Sequence, residues 1–179
     1  SVFDKSANGL VPAEAVAVVL LKPLSQAISD GDRIHGVIKA SGVNYDGKTN
    51  GITAPNPLSQ AELIKNIYAR HQIDPGNIQY VLAHSVGSKL GDPIEIEALS
   101  DAFQQCNNKK QYCNLGSIKP LIGHTFAASG VVNLIAMLMA AKEHVIPALH
   151  NYETANEYID FTNSPFFINR ANQPWNRTD

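Results

Sequence analysis

FAASGVVNLIAMLMAAK, residues 126–142, reads as a helix without a polar face. Its apolar side chains recur at every angle around a 3.6-residue turn, interrupted by Ser129, Gly130 and Asn133, whereas a surface helix confines them to one stripe. The stretch Phe126 to Ala141 is shorter than the roughly 20 apolar residues that span a bilayer. It is therefore expected as a helix buried between layers of a folded protein. In a simple sandwich each helix shows one side to water, so a helix apolar all round predicts a further layer that 179 residues do not supply. The sequence asks for a missing half.

Outward from that helix the pattern alternates. Tyr112–Ile118 (YCNLGSI) is a strand before it, and Val145–His150 and Pro165–Asn169 are two strands after it, joined by a long connection over Tyr152–Asn163. Further upstream, Ile78–Ala83 is a short strand after the turn IDPGN. Asp92, Pro93 and Glu95 read as N-cap, first helical residue and third helical residue of a capping box, opening a helix to about Gln104. Asn56 before Pro57 caps another helix, with Leu63, Ile64 and Ile67 at helical spacing as far as His71. Ile34–Val43 is a strand candidate, YDGKTNG a loop, and LSQAISDGD a short helix and turn. Ala13–Leu21, AEAVAVVLL, has the continuous apolar character of a strand buried on both faces. Strands alternating with helices give an α/β class with crossover helices and a largely parallel sheet.

Composition narrows the function classes. Apolar residues are 44% and charged residues 17%, which is globular. A formal charge of −2 with scattered lysines and arginines offers no field for a phosphate backbone or an anionic membrane, so neither nucleic acid nor membrane is an expected partner. Cys106 and Cys113 lack CxxC spacing or paired histidines, so no metal site is expected, and a reducing cytoplasmic setting is the simplest one. Neither cysteine stands in a motif that would make it reactive.

His84 and His124 occupy similar places: each follows a strand-derived segment, sits among small residues and precedes a helix. Ligands of open α/β sheets collect at the carboxyl ends of strands, where two such imidazoles can converge to donate hydrogen bonds or shuttle protons. The alternative is that each orders its own turn. Gly87 and Gly91 allow close backbone approach, with the hydroxyls of Ser85 and Ser88 beside them. Lys119, five positions before His124, can fix an anion or orient a histidine, although a lone lysine is ordinarily solvated. Glu95 and Glu97 lie on opposite sides of their helix and make no carboxylate pair; capping explains Glu95. There is no GxSxG elbow, P-loop or GxGxxG.

Together VVLLKPLSQAISDGDRIHGVIKASGVNYDGKTNGITAPN, AHSVGSKLGDPIEIEAL, LGSIKPLIGH with its Ala/Gly-rich helix, VIPALHNYETAN and the final PW resemble the C-terminal half of a β-ketoacyl synthase of the polyketide synthase type. The resemblance runs over nearly all of residues 1–179. It implies the C-terminal βαβαβαββ half of a thiolase-like αβαβα fold, with the apolar helix between the two sheets. It also implies catalysis of decarboxylative Claisen condensation between acyl and malonyl units on acyl carrier protein. His84 matches the first histidine of that family, His124 the second, and Lys119 the lysine supporting them, while the cysteine nucleophile belongs to the absent N-terminal half and matches neither Cys106 nor Cys113. No cofactor bound by this chain is implied. The phosphopantetheine arm of the carrier protein is the substrate carrier, contacted at Val86 and Ser88, where the family has threonines. The implied partners are the N-terminal half, the acyl carrier protein and a second copy of the complete domain in a homodimer.

Four departures accompany the resemblance. Val86 lacks one of the two expected hydroxyls, Ser85 replaces a glycine, Ala13, Glu14 and Ala15 stand where the family has Gly-Glu-Gly, and Phe126 stands where a glutamate would partner Lys119, so that the lysine's network must differ. Alternatives to elongation are a ketosynthase that only transfers acyl chains and a structural half-domain.

Overall fold

The computed structural model describes residues 1–49, 51, 54–105 and 108–176. Its elements are α1 (Leu24–Ser29), α2 (Pro57–His71), β1 (Tyr80–Leu82), α3 (Gly91–Gln104), β2 (Cys113–Gly116), α4 (Lys119–Ile122), α5 (Ser129–Glu143), β3 (Val145–Ile146), β4 (Phe166–Phe167) and β5 (Gln173–Pro174). Short 3-10 turns at Pro75–Asn77 and Phe126–Ala128 precede β1 and α5. The strands are shorter than the segments read from sequence, and β5, which pairs antiparallel with β3, had no signal there.

The parallel sheet β1-β2-β4 is the expected α/β core, with Tyr80 opposite Asn114, Leu82 opposite Gly116 and Cys113 opposite Phe166. Its middle strand β2 is buried at every residue, which is why its sequence does not alternate. On one side α3 presents Ile96, Leu99 and Phe103, at three- and four-residue spacing, into a cluster with Leu115, Phe166 and Phe3. Phe103 meets Phe166 at 4.8 Å and Tyr68 of α2 edge-on at 5.8 Å, so α2 packs over α3. Each such aromatic or aliphatic side chain contributes about 1.5–3 kcal/mol when fully buried. Helix α2 begins as read: Asn56 Oδ1 accepts from Leu58 N at 3.1 Å and Ser59 N at 3.2 Å, ahead of Pro57. Replacing Asn56 with alanine is expected to cost about 1 kcal/mol, measured as a lowered denaturant midpoint.

Two expectations need correction. No hydrogen-bonded strand forms over 13–21 or 34–43, although both segments were read as strands. Burial nevertheless alternates along 13–20: Ala13, Ala15, Ala17 and Val19 are half-buried, while Glu14, Val16, Val18 and Leu20 are exposed. That period of two belongs to an extended chain with one face covered and no partner strand. The second segment bridges the helices, since a Cβ on Gly36 would press on Leu138 of α5 and one on Gly42 on Ile67 of α2. The other correction concerns α5: none of its residues is buried. Phe126–Glu143 is in fact long and apolar enough to match a bilayer by length and composition. Within this chain its apolar surface is therefore left without a buried face.

Candidate functional site

The carboxyl ends of the neighbouring strands β1 and β2 open into the two motifs. After Leu82 the chain runs through His84 to Ser88 before α3 starts at Gly91, and after Gly116 it runs through the single turn α4 to His124. Adjacent parallel strands therefore deliver both histidines to one edge of the sheet, where their rings meet edge to face with centroids 5.1 Å apart.

The loop Ala83–Ser88 is shaped by two carboxylates of α3, and here the capping-box reading fails. Residue Leu90 occupies the cap position, and Ser88 Oγ accepts from Gly91 N at 3.1 Å. Buried Asp92 turns back onto the loop, its Oδ1 taking Val86 N, Gly87 N and Ser88 N at 3.1, 3.2 and 3.1 Å and its Oδ2 taking Phe3 N at 3.0 Å. Burial raises the Asp92 pKa, and the Phe3 and Ser88 N–H bonds oppose that rise. Glu95 accepts from His84 N at 2.7 Å, Ser85 N at 2.6 Å and Ser85 Oγ at 2.7 Å, so its role is to hold the histidine loop. A carboxylate at the third helical position fits a capping box and a loop clamp equally well in sequence, and only the trajectory of the preceding loop separates them.

Gly87 has φ +82, and a Cβ there would lie 3.1 Å from the carbonyl oxygens of both Gly9 and Ser1. Gly87→Ala meets strain and a backbone contact together, so about 2 kcal/mol of stability should be lost, read from the thermal midpoint. Gly91 has an ordinary helical position and meets only Ser88.

Lys119 is not solvated. It is buried at the start of α4, its N–H reaching Ser117 Oγ and its Nζ donating to the carbonyl oxygen of His84. The ammonium pKa is lowered by burial, while the charges of Glu95 and Asp92 pull it back up. These groups answer the departure at Phe126: the lysine meets a carbonyl and the field of two α3 carboxylates. Lys119 also ties α4 to the His84 loop, which fixes the two motifs to each other.

His124 is buried and clamped by its own main chain, its N donating to Val11 O at 2.8 Å and its O accepting from Ala13 N at 2.9 Å. Its Nδ1 accepts from Phe126 N at 3.2 Å, and the Phe126 ring stacks on it at 4.9 Å. A neutral imidazole whose Nδ1 accepts carries its proton on Nε2, which leaves a donor available. In ordering its own turn, His124 thereby acquires a defined tautomer.

Both imidazoles have lowered pKa values. Desolvation is the main cause at each, reinforced by the Lys119 charge; at His84 the Glu95 charge opposes and His124 adds to the lowering. Both rings are expected to titrate by NMR with midpoints below the ordinary 6.5. Between those midpoints and 6.5 the unfolded chain binds protons that the folded rings refuse, so acidification through that interval lowers stability.

Of the carrier-arm candidates, Ser88 is half-buried and its hydroxyl already accepts from Gly91 N, leaving its proton to donate; Val86 is half-buried and offers methyl groups alone. Cys113 is free and buried in β2, where burial pushes its thiol up to about 12; Cys106 lies outside the described residues.

Residues 35–153 match the family model of the β-ketoacyl synthase C-terminal domain. The chain is 65% identical over 174 residues to polyketide synthase PksM of Bacillus subtilis, covering 97% of this chain and 4% of that protein. It is 46% identical over 173 residues to polyketide synthase ThaG of Burkholderia thailandensis, covering 97% of this chain and 3% of that protein. A ketosynthase from module 6 of the bacillaene synthase of Bacillus subtilis superposes with a TM-score of 0.97 at 46% identity, covering 99% of this chain and 32% of that one. A module 1 ketosynthase of the bacillaene synthase of Bacillus amyloliquefaciens gives 0.96 at 37% identity, with 99% and 33% covered. The fold is thus the thiolase-like α/β fold of ketosynthases, and the chain spans about a third of those solved chains.

Proposed function

This chain belongs to the β-ketoacyl synthase C-terminal domain family, and from that premise we propose that it supplies the two histidines of a polyketide synthase ketosynthase that elongates acyl chains. The nucleophilic cysteine of the reading lies in the N-terminal half. An acyl group held there as a thioester would meet a malonyl unit delivered on the phosphopantetheine arm of an acyl carrier protein. Loss of CO2 leaves an enolate at the malonyl α-carbon. Its attack on the acyl carbonyl forms the carbon–carbon bond, and collapse of the tetrahedral oxyanion breaks the carbon–sulfur bond and returns the thiolate.

Two negative oxygens develop in that sequence, the enolate and the tetrahedral oxyanion, and preoriented donors favour both. The observation that carries the proposal is the pairing of two imidazoles with centroids 5.1 Å apart, one of them fixed by its Phe126 N–H contact as an Nε2–H donor. Depressed pKa values keep the rings neutral near pH 7, so they donate without first having to lose a proton. Lys119 holds the main chain of His84 and depresses both rings, which makes it a positioning group in this scheme. Ser88 would hold the carrier arm through its free hydroxyl proton and Val86 would pack against it. The complete domain would be a cytoplasmic homodimer working with the carrier protein.

Val86 favours a second reading, because a site with one carrier-arm hydroxyl fewer suits a domain that passes acyl chains on without extending them. Joined to its N-terminal half, the domain is to be loaded from acyl carrier protein and offered malonyl carrier protein. Elongation predicts a carrier-bound β-keto product; loading with no such product assigns the domain to transfer alone.

A further inference from the structure

Phe126 lends only its backbone N–H to the chemistry just described, yet its side chain is held in an uncommon way. Its φ is 48°, in the left-handed region that bulky L residues rarely occupy, and the residue is 55% exposed, so core burial does not keep it there. What it does touch is His124, twice. The phenyl ring lies nearly parallel to the imidazole, with an interplanar angle of 17° and centroids 4.9 Å apart, and the backbone N–H of the same residue reaches Nδ1 at 3.2 Å. A face contact fixes the plane of the imidazole, and an N–H on Nδ1 fixes which nitrogen keeps its lone pair.

We propose that Phe126 is a positioning residue for His124: its stacked ring holds the backbone in the left-handed conformer that aims its N–H at Nδ1, so the imidazole stays neutral with its proton on Nε2. The proposal rests on the donor role given to His124 above. The groups facing the pair all act around an uncharged ring. His84 meets it edge-on, Lys119 disfavours a second positive charge, and the carboxylates of Glu95 and Asp92 are engaged by main-chain N–H groups of the His84 loop. A carboxylate at position 126 would do the opposite and favour imidazolium. The phenyl ring therefore exchanges a charge-stabilising neighbour for one that restrains orientation only.

The test uses the complete domain with 15N-labelled histidine, comparing wild type with Phe126→Tyr, Phe126→Leu and Phe126→Glu. Wild type and Phe126→Tyr should both show the His124 ring as the Nε2–H tautomer. Phe126→Leu should show averaged ring nitrogens and about tenfold slower condensation, with acyl loading and KM for the malonyl carrier unchanged. Phe126→Glu should raise the His124 midpoint and move the acid limb of the condensation profile to higher pH. A single Nε2–H tautomer in Phe126→Leu, or an unmoved midpoint in Phe126→Glu, overturns the proposal. Retained condensation in His124→Ala would instead overturn the donor role alone, because the ring-nitrogen spectra report on His124 whether or not it assists turnover.

Discussion

His84→Ala in the complete domain should slow condensation by about 100- to 1,000-fold, the range found when one preoriented oxyanion donor is removed, while acyl loading of the cysteine stays within a few-fold of wild type. The split follows from where this residue is held. The main chain of His84 carries the structural contacts, its N–H on Glu95 and its carbonyl under Lys119, and neither is lost on truncation of the ring. The side chain is exposed in this chain and meets the His124 ring. Alanine should therefore cost little stability, within about 0.5 kcal/mol as for other exposed side chains, and the thermal midpoint serves as the control. Loading and condensation are followed separately by mass spectrometry of the acyl-enzyme and of the carrier-bound product. Equal loss in both steps would remove the assigned role.

Asp92→Ala carries the largest expected loss of stability. The carboxylate is 1% exposed and is the acceptor for four backbone N–H groups, those of Phe3, Val86, Gly87 and Ser88. An unsatisfied buried donor costs about 1–3 kcal/mol, and because the four share one partner the costs do not simply add; about 4 kcal/mol is expected. Asp92→Asn retains one carbonyl acceptor and should fall between alanine and wild type. Urea titrations of the three proteins give the comparison, and an alanine variant within 1 kcal/mol of wild type would show that water replaces the carboxylate. The defect should reach function as well, since the same oxygens shape the turn between His84 and α3.

Much of this architecture was legible in the sequence because local signals and burial agreed. Asn56 and Pro57 start α2 where they should, β2 and β4 lie within their apolar runs, and the end of α3 at Gln104 matches its pattern. The all-round apolar helix announced an absent layer, and its lack of any buried residue is the counterpart in structure. The convergence of His84, His124 and Lys119 at one sheet edge was legible. Their surroundings were not, for a physical reason: Asp92 and Glu95 have the residue types and spacing of a cap, and their actual partners lie upstream on a loop whose path no periodicity encodes. The burial of the lysine could not be read from its residue type, because its carbonyl partner, His84 O, stands 35 positions away. Likewise Ala13–Leu21 and Ile34–Val43 have strand composition, and composition says nothing of whether the neighbouring strand is on the same piece of chain.

That last point bears on how the piece behaves when separated from the rest of its domain. Along 13–20 one side is half-covered and the other displays Val16, Val18 and Leu20, with no ladder closing the backbone edge. Such an edge is a template for other chains, so the fragment alone should self-associate as its concentration rises. Any partner surface that covers it would remove apolar area from water, and the calorimetric mark of such a union is a negative heat-capacity change. At such an edge, assembly with a partner and protection against aggregation would be the same event.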